Sequence, residues 1–265
     1  LLLFTLCWSP LPGSIAAELS ARDVMQSVDE RDDGDSAIAD WTMVLIDRRN
    51  RERTRNMRIY EKDYGEDSKQ LSRFESPADI RGTTFLSFDW DDIDRDDDSW
   101  LYLPSLQRVK RLAASDTSDS FLGSDFTYAD YTGWQIDWYD FRFLNESEVV
   151  DGQDCWVIEA VPNADFKDKA EDATGYSRWQ AWVRKDNFVI VQAQAWELRG
   201  NRVKYFSFTD IELIDGIWTP KRLQAITTRN GRQEHASIFQ LNEIEYNVDI
   251  ADELFTTDSM QRGLN

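Results

Sequence analysis

Hydrophobic and polar positions change period once along the chain. Leu19, Val24, Met25 and Val28 recur at helical spacing. They follow the cap-like Ser20-Ala21-Arg22-Asp23 and predict a short amphipathic helix to about Arg31. Asp32-Asp33-Gly34-Asp35 ends it, and from Trp41 onward apolar, strand-length runs take over. They predict strands at 41–47, 51–60, 69–75, 83–90, 100–103, 107–112, 136–144, 155–161, 177–184, 189–198, 203–213, 221–228 and 238–248. Asp151-Gly152, Gly200-Asn201, Asp215-Gly216 and Asn230-Gly231 supply hairpin turns, so the second half reads as an antiparallel meander.

Several of these runs do not alternate. Trp179 to Val183 and Tyr205 to Phe208 put bulky groups on both strand faces. A curved sheet wrapped around an interior, with its outside partly covered, accommodates that better than a flat half-exposed sheet. No Pro/Ser-rich linker and no repeat divides the chain, so residues 18–265 are expected to form a single, mainly β domain. Leu254-Phe255 and the tail are expected to pack back on it. The interior is either ordinary core or a ligand cavity.

The uncharged apolar start, Leu1 to Trp8, broken by Pro10, Pro12 and Gly13 and ending in Ser14-Ile15-Ala16-Ala17, reads as an export signal over 1–17 that lacks its extreme start. It is too short for a membrane span, and a soluble periplasmic protein is expected after cleavage. Cys7 follows bulky Leu6, which argues against lipidation. Cleavage would leave Cys155, in the run Cys-Trp-Val-Ile, as a small buried hydrophobe with no disulfide partner.

Charge removes another class of function. With 50 acidic and 30 basic residues and a net charge of −20, the chain repels nucleic acid and anionic headgroups. Local exceptions are Arg48 to Arg55, a hairpin tip or a docking surface, and Arg108, Lys110 and Arg111. Alternation places Arg108 and Lys110 on one strand face, a possible contact for a headgroup or partner, with Arg111 opposite.

Candidate chemistry is sparse. His235 is the one histidine, expected at a solvated strand edge, and a Ser124-Asp125-His235 hydrolase would lack the Gly-x-Ser-x-Gly elbow. Zinc would need more His or Cys ligands than the mature chain offers. The acidic run Asp89 to Asp98 lacks the glycine and twelfth-position glutamate of an EF-hand and reads as a solvated loop. No catalytic residue, metal or cofactor is therefore expected. In Phe121-Leu122-Gly123-Ser124-Asp125-Phe126-Thr127-Tyr128, Gly123 permits positive φ, Ser124 and Asp125 can cap a helical turn, and the three aromatic rings can anchor the loop.

That loop is part of an ordered set of motifs. Phe74-Glu75-Ser76-Pro77-Ala78-Asp79-Ile80-Arg81-Gly82-Thr83 precedes Trp100-Leu101-Tyr102-Leu103-Pro104, Arg108-Val109-Lys110-Arg111 and Phe121 to Asp130. Tyr176-Ser177 with Trp182, Gly200 with Lys204, Asp215-Gly216-Ile217-Trp218-Thr219-Pro220 and Leu254-Phe255 follow. In this order they resemble the outer membrane lipoprotein-sorting-like family. The resemblance implies an unclosed antiparallel β-barrel with short helices at its mouth, similar to the periplasmic lipoprotein carrier and its receptor. It also implies binding of a lipid or acylated protein without covalent chemistry, and partnership with an inner-membrane transporter of the resistance-nodulation-division superfamily. A scaffold or accessory subunit of such a transporter, with a filled core, is the alternative. On the carrier reading Trp41, Met43, Leu45, Met57, Phe85, Leu101, Leu103, Trp156, Ile158, Trp182, Phe206 and Phe208 line an apolar cavity. Phe121, Gly123, Ser124, Asp125, Phe126 and Tyr128 form the lid.

Overall fold

The computed structural model describes residues 19–262, so the expected export signal and Cys7 lie outside the described residues. Helix α1 (Ala21–Asp29) begins where the sequence places it. Asp23 N donates to Ser20 Oγ at 3.2 Å while Ser20 N donates to the Asp23 carboxylate at 2.8 Å, a reciprocal cap. Val24 and Met25 are buried on its inner face.

Thirteen strands follow in one sheet: β1 (Ser36–Ile46), β2 (Glu52–Tyr64), β3 (Asp67–Ser76), β4 (Thr84–Asp89), β5 (Asp98–Leu103), β6 (Arg108–Leu112), β7 (Tyr139–Val150), β8 (Gln153–Pro162), β9 (Tyr176–Arg184), β10 (Ile190–Glu197), β11 (Arg202–Ile214), β12 (Ile217–Arg229) and β13 (Arg232–Tyr246). They form two antiparallel meanders, β1 to β6 and β7 to β13, joined where β1 pairs with β13. The sheet does not close on itself; β6 and β7 are its edges. Asp215-Gly216 and Asn230-Gly231 carry positive φ at both residues (51° and 91°, 50° and 73°), the backbone a tight two-residue hairpin requires. Strand β7 starts later than its apolar run suggests because 136–138 is a 3-10 turn.

Curvature gives the sheet two different faces. On the concave side Ala160, Ala181, Ala195 and Ala225 have no exposed surface, and their missing side-chain bulk leaves a hollow across β8 to β12. The connection from β6 to β7 fills part of it. Helix α2 (Tyr128–Thr132), capped by Thr127 and Asp130, lies in this connection. Phe121 is fully buried and stacks on Tyr131 with ring centroids 4.0 Å apart. Phe85, Tyr128 and Phe239 pack around it, and Phe126 packs on Phe206 and Phe239. Each such ring stabilises the fold by about 1.5–3 kcal/mol through burial. On the convex side Leu71 and Leu86 pack against Ile250, Phe255 and Met260, so the C-terminal segment with α4 (Thr257–Arg262) covers the outside of the first meander. Helix α3 (Lys167–Thr174), between β8 and β9, has no counterpart in the sequence reading because only Ala170 and Thr174 face inward.

Candidate functional site

The segment crossing the concave face separates two hollows of opposite character. One is an apolar cavity of about 370 Å³ between the sheet and the inner segment, walled by Ala39, Trp41, Ile59, Phe206, Phe208 and Phe239 among others. Its volume lies within the range of small-molecule sites. A few polar groups enter this wall. Glu61 of β2 stands opposite Ala37 on one side and Gln70 of β3 on the other, and Arg31, Asp33, Asp130, Trp134 and Trp179 also line the cavity. Burial pushes the Glu61 carboxyl up to about 7, and repulsion from Asp33 and Asp63 adds to the shift. Burial likewise raises Asp63 to about 6, with Asp33 and Asp35 contributing. Gln70 Oε1, Asp130 Oδ1 and the indole Nε1 atoms of Trp134 and Trp179 are buried without a hydrogen-bond partner in the protein. Each such group costs about 1–3 kcal/mol.

The other hollow is a polar cleft of about 1020 Å³ at the opposite side of the inner segment. Two hydrogen-bonded networks underlie its floor. Asp125 N donates to Ser237 Oγ at 2.9 Å, and the Asp125 carboxylate accepts from Ser237 Oγ at 2.7 Å and Thr227 Oγ1 at 2.5 Å. His235 Nδ1 lies 3.1 Å from the same carboxylate, with 52% of its side chain exposed. Thr227 and His235 are cross-strand neighbours on β12 and β13, so Asp125 pins the loop to one row of the sheet. In the second network Lys204 Nζ donates to Tyr176 OH at 2.9 Å, and Tyr176 OH donates to Asp130 Oδ2 at 2.6 Å. Lys204 also lies 3.7 Å from Asp130, with the two side chains only 7% and 3% exposed. Burial, followed by the charge of Asp130, drives the Tyr176 hydroxyl well above its ordinary range and keeps it a donor.

The residues assigned to a cavity by sequence are distributed over several environments. Trp41, Phe206 and Phe208 line the apolar cavity, whereas Leu45 lines the polar cleft. Met43, Met57, Phe85 and Ile158 are closed off in the main core, where Phe121, Tyr128 and Tyr131 of the inner segment pack on Phe85. Leu101 is half-buried against that core, as is Trp156, which stacks on Phe188. Leu103 is half-buried near the sheet edge. Trp182 faces the other way, beside Val150, Cys155 and Val191.

The expected lid is also corrected. Phe121, Phe126 and Tyr128 are an internal plug, since rings of this size find more apolar contact in the alanine-lined hollow than at a mouth. Gly123, Ser124 and Asp125 do border the polar cleft. Ser124 Oγ donates to Phe126 O, and Thr127 with Asp130, not Ser124 with Asp125, caps the helical turn. His235 is held by Asp125 instead of standing free at a strand edge. Arg108 and Lys110 lie on edge strand β6, where Lys110 pairs with Asp116. Cys155 is buried, as its run suggested, and burial raises its thiol. Sequence reasoning passed over Glu61, Asp130, Tyr176 and Lys204 as site groups. Glu61 stands in Tyr60-Glu61-Lys62, which reads as solvated strand, and the other three meet only through folding.

Among the described residues no helix is long and apolar enough to cross a membrane. A family model described as "-like: Uncharacterized protein" matches residues 66–262. No curated protein matches the chain. A DUF1329 family protein from Desulfovibrio piger is 29% identical, with a TM-score of 0.81 over 91% of this chain and 98% of its own. A putative outer membrane lipoprotein-sorting protein domain from Vibrio parahaemolyticus is 26% identical, with a TM-score of 0.80 over 91% and 98%. A LolA superfamily protein from Nitrosomonas europaea, 19% identical with a TM-score of 0.67 over 91% and 100%, shares the fold.

Proposed function

Because the chain belongs to the outer membrane lipoprotein-sorting-like family, we propose that it is a periplasmic carrier that shelters the apolar part of a lipid or acylated protein inside its half-open barrel. The observation that carries this reading is the apolar cavity of about 370 Å³ between the concave sheet and the plug. Apolar contact supplies about 0.8 kcal/mol per buried methylene, so binding needs no covalent step. On this reading the protein is not an enzyme, and Asp125 and His235 fasten the plug to the sheet. Cargo passes between envelope components, with an inner-membrane transporter of the resistance-nodulation-division superfamily as the donor or acceptor.

The test is to fill the hollow. Ala193 lines the cavity between Ala181 and Phe206 in register. Ala193→Trp should weaken binding of a fluorescent alkyl probe by at least about tenfold. Placed in an existing hollow, it should cost less than the roughly 1–3 kcal/mol of overpacking a filled core. Undiminished probe binding by a folded Ala193→Trp protein, or wild-type protein that binds no probe and carries no extractable lipid, would sink the carrier.

A further inference from the structure

The charged side chains of the cavity wall are mostly acidic, Glu61, Asp33 and Asp130 against Arg31. Glu61 presents a carboxyl, and Gln70 Oε1 and Asp130 Oδ1 have no donor within the protein. Asp130 is nine-tenths buried by a wide margin, and Tyr176 OH, Thr127 N and Lys204 all address its other oxygen, Oδ2. Arg31 is the one cationic side chain lining the cavity among the described residues, and its guanidinium donates to the carbonyls of Trp218 and Asp32. Trp134 and Trp179 add two aromatic faces with ring centroids 4.6 Å apart. Such faces attract cations through their quadrupole, most strongly where water is excluded. The net charge of −20 concentrates cations around the molecule and repels anions.

Resting on the carrier reading, we infer that the cavity takes an amphiphile whose polar end is a protonated amine, with Glu61 as its counter-charge. A fatty acid carboxylate meets the carboxyls of Glu61, Asp33 and Asp130 and the unpaired Gln70 Oε1 in the same wall, and the unpaired donors it finds there are the indole N–H groups of Trp134 and Trp179. A neutral alcohol donates one hydrogen bond and brings no charge. An alkylammonium donates up to three and pairs with the ionised Glu61, whose charged form burial disfavours. The apolar body selects for chain, and the acidic excess of the wall selects for head.

Titration calorimetry with dodecylamine, dodecanol and dodecanoate, each below its micelle concentration and at mildly alkaline pH, tests the assignment. The amine is expected to bind at least about tenfold more tightly than the carboxylate, with the alcohol between them. Glu61→Gln, which retains shape and removes the charge, should bring amine and alcohol to within about threefold of each other. Equal or tighter binding of dodecanoate, or an amine preference unchanged by Glu61→Gln, overturns the inference while leaving the carrier standing. Failure of all three to bind removes the carrier and the inference together.

Discussion

The polar cleft and the apolar cavity lie on either side of one plug and share the concave face of one sheet, yet they treat polar groups in opposite ways. On the cleft side Asp125 has Thr227, Ser237 and His235, and Asp130 has Tyr176 and Lys204 at its Oδ2, its Oδ1 alone being left without a partner. In the smaller cavity the wall is mostly hydrocarbon, and Gln70 Oε1, Asp130 Oδ1 and the indole N–H groups of Trp134 and Trp179 have no protein partner there. Volume alone would favour the cleft as the binding site. Satisfaction of hydrogen bonds reverses that ranking, because a closed network has already committed its bonding capacity to the fold, whereas an open one retains it for a ligand.

The largest expected effect would break the first half of this contrast. Lys204→Met leaves Asp130 as a buried charge facing Tyr176, and should cost about 3–5 kcal/mol in urea unfolding. A loss below about 1 kcal/mol would mean that the cleft network holds little of the fold together.

A smaller effect sharpens the second half through pH. Glu61 titrates at about 7 in the fold against an ordinary value of 4.5, so the folded state holds its proton more tightly. The associated stability is complete below pH 4.5 and is lost as pH rises to about 7. Allowing for partial solvent contact, the loss is about 2 kcal/mol. Burial and the neighbouring Asp97 push Asp89 in the same direction, so wild-type stability should fall across this window by more than the Glu61 share. Glu61→Gln should flatten that share in chemical denaturation measured from acid to neutral pH. An identical slope in the variant would remove Glu61 from the account.

The smallest effect concerns the sheet edge. Replacing Arg108 and Lys110 with alanine should change stability by no more than about 0.5 kcal/mol. Because cationic side chains on an exposed edge discourage pairing with another chain, light scattering of the double variant should show increased association. A large loss of stability would place these side chains in the packing of the fold instead of at its margin.

Strand existence was legible because apolar runs, β-branched residues and Asp-Gly or Asn-Gly turns act locally. All thirteen predicted runs overlap a strand of the sheet, and Ser20 with Asp23 marks the first helix. Facing was not legible where bulky residues occupy both sides. Trp182 and Trp179, three positions apart on β9, point to opposite faces. Nor could composition separate a plug from a lid, since Phe121, Phe126 and Tyr128 look equally apolar in either place. The inner hollow that receives them is made by alanines contributed one each by β8, β9, β10 and β12. The Lys204–Tyr176–Asp130 network has no local spacing because its members come from β11, β9 and α2.

The two free edges of the sheet are consecutive in the chain. Strand β6 leads through residues 113–138 directly into β7, so the plug is also a strap fastened at one end to each lip of the open barrel. The rings of the plug are therefore held in the alanine hollow by chain connection to both edges of the sheet as well as by packing.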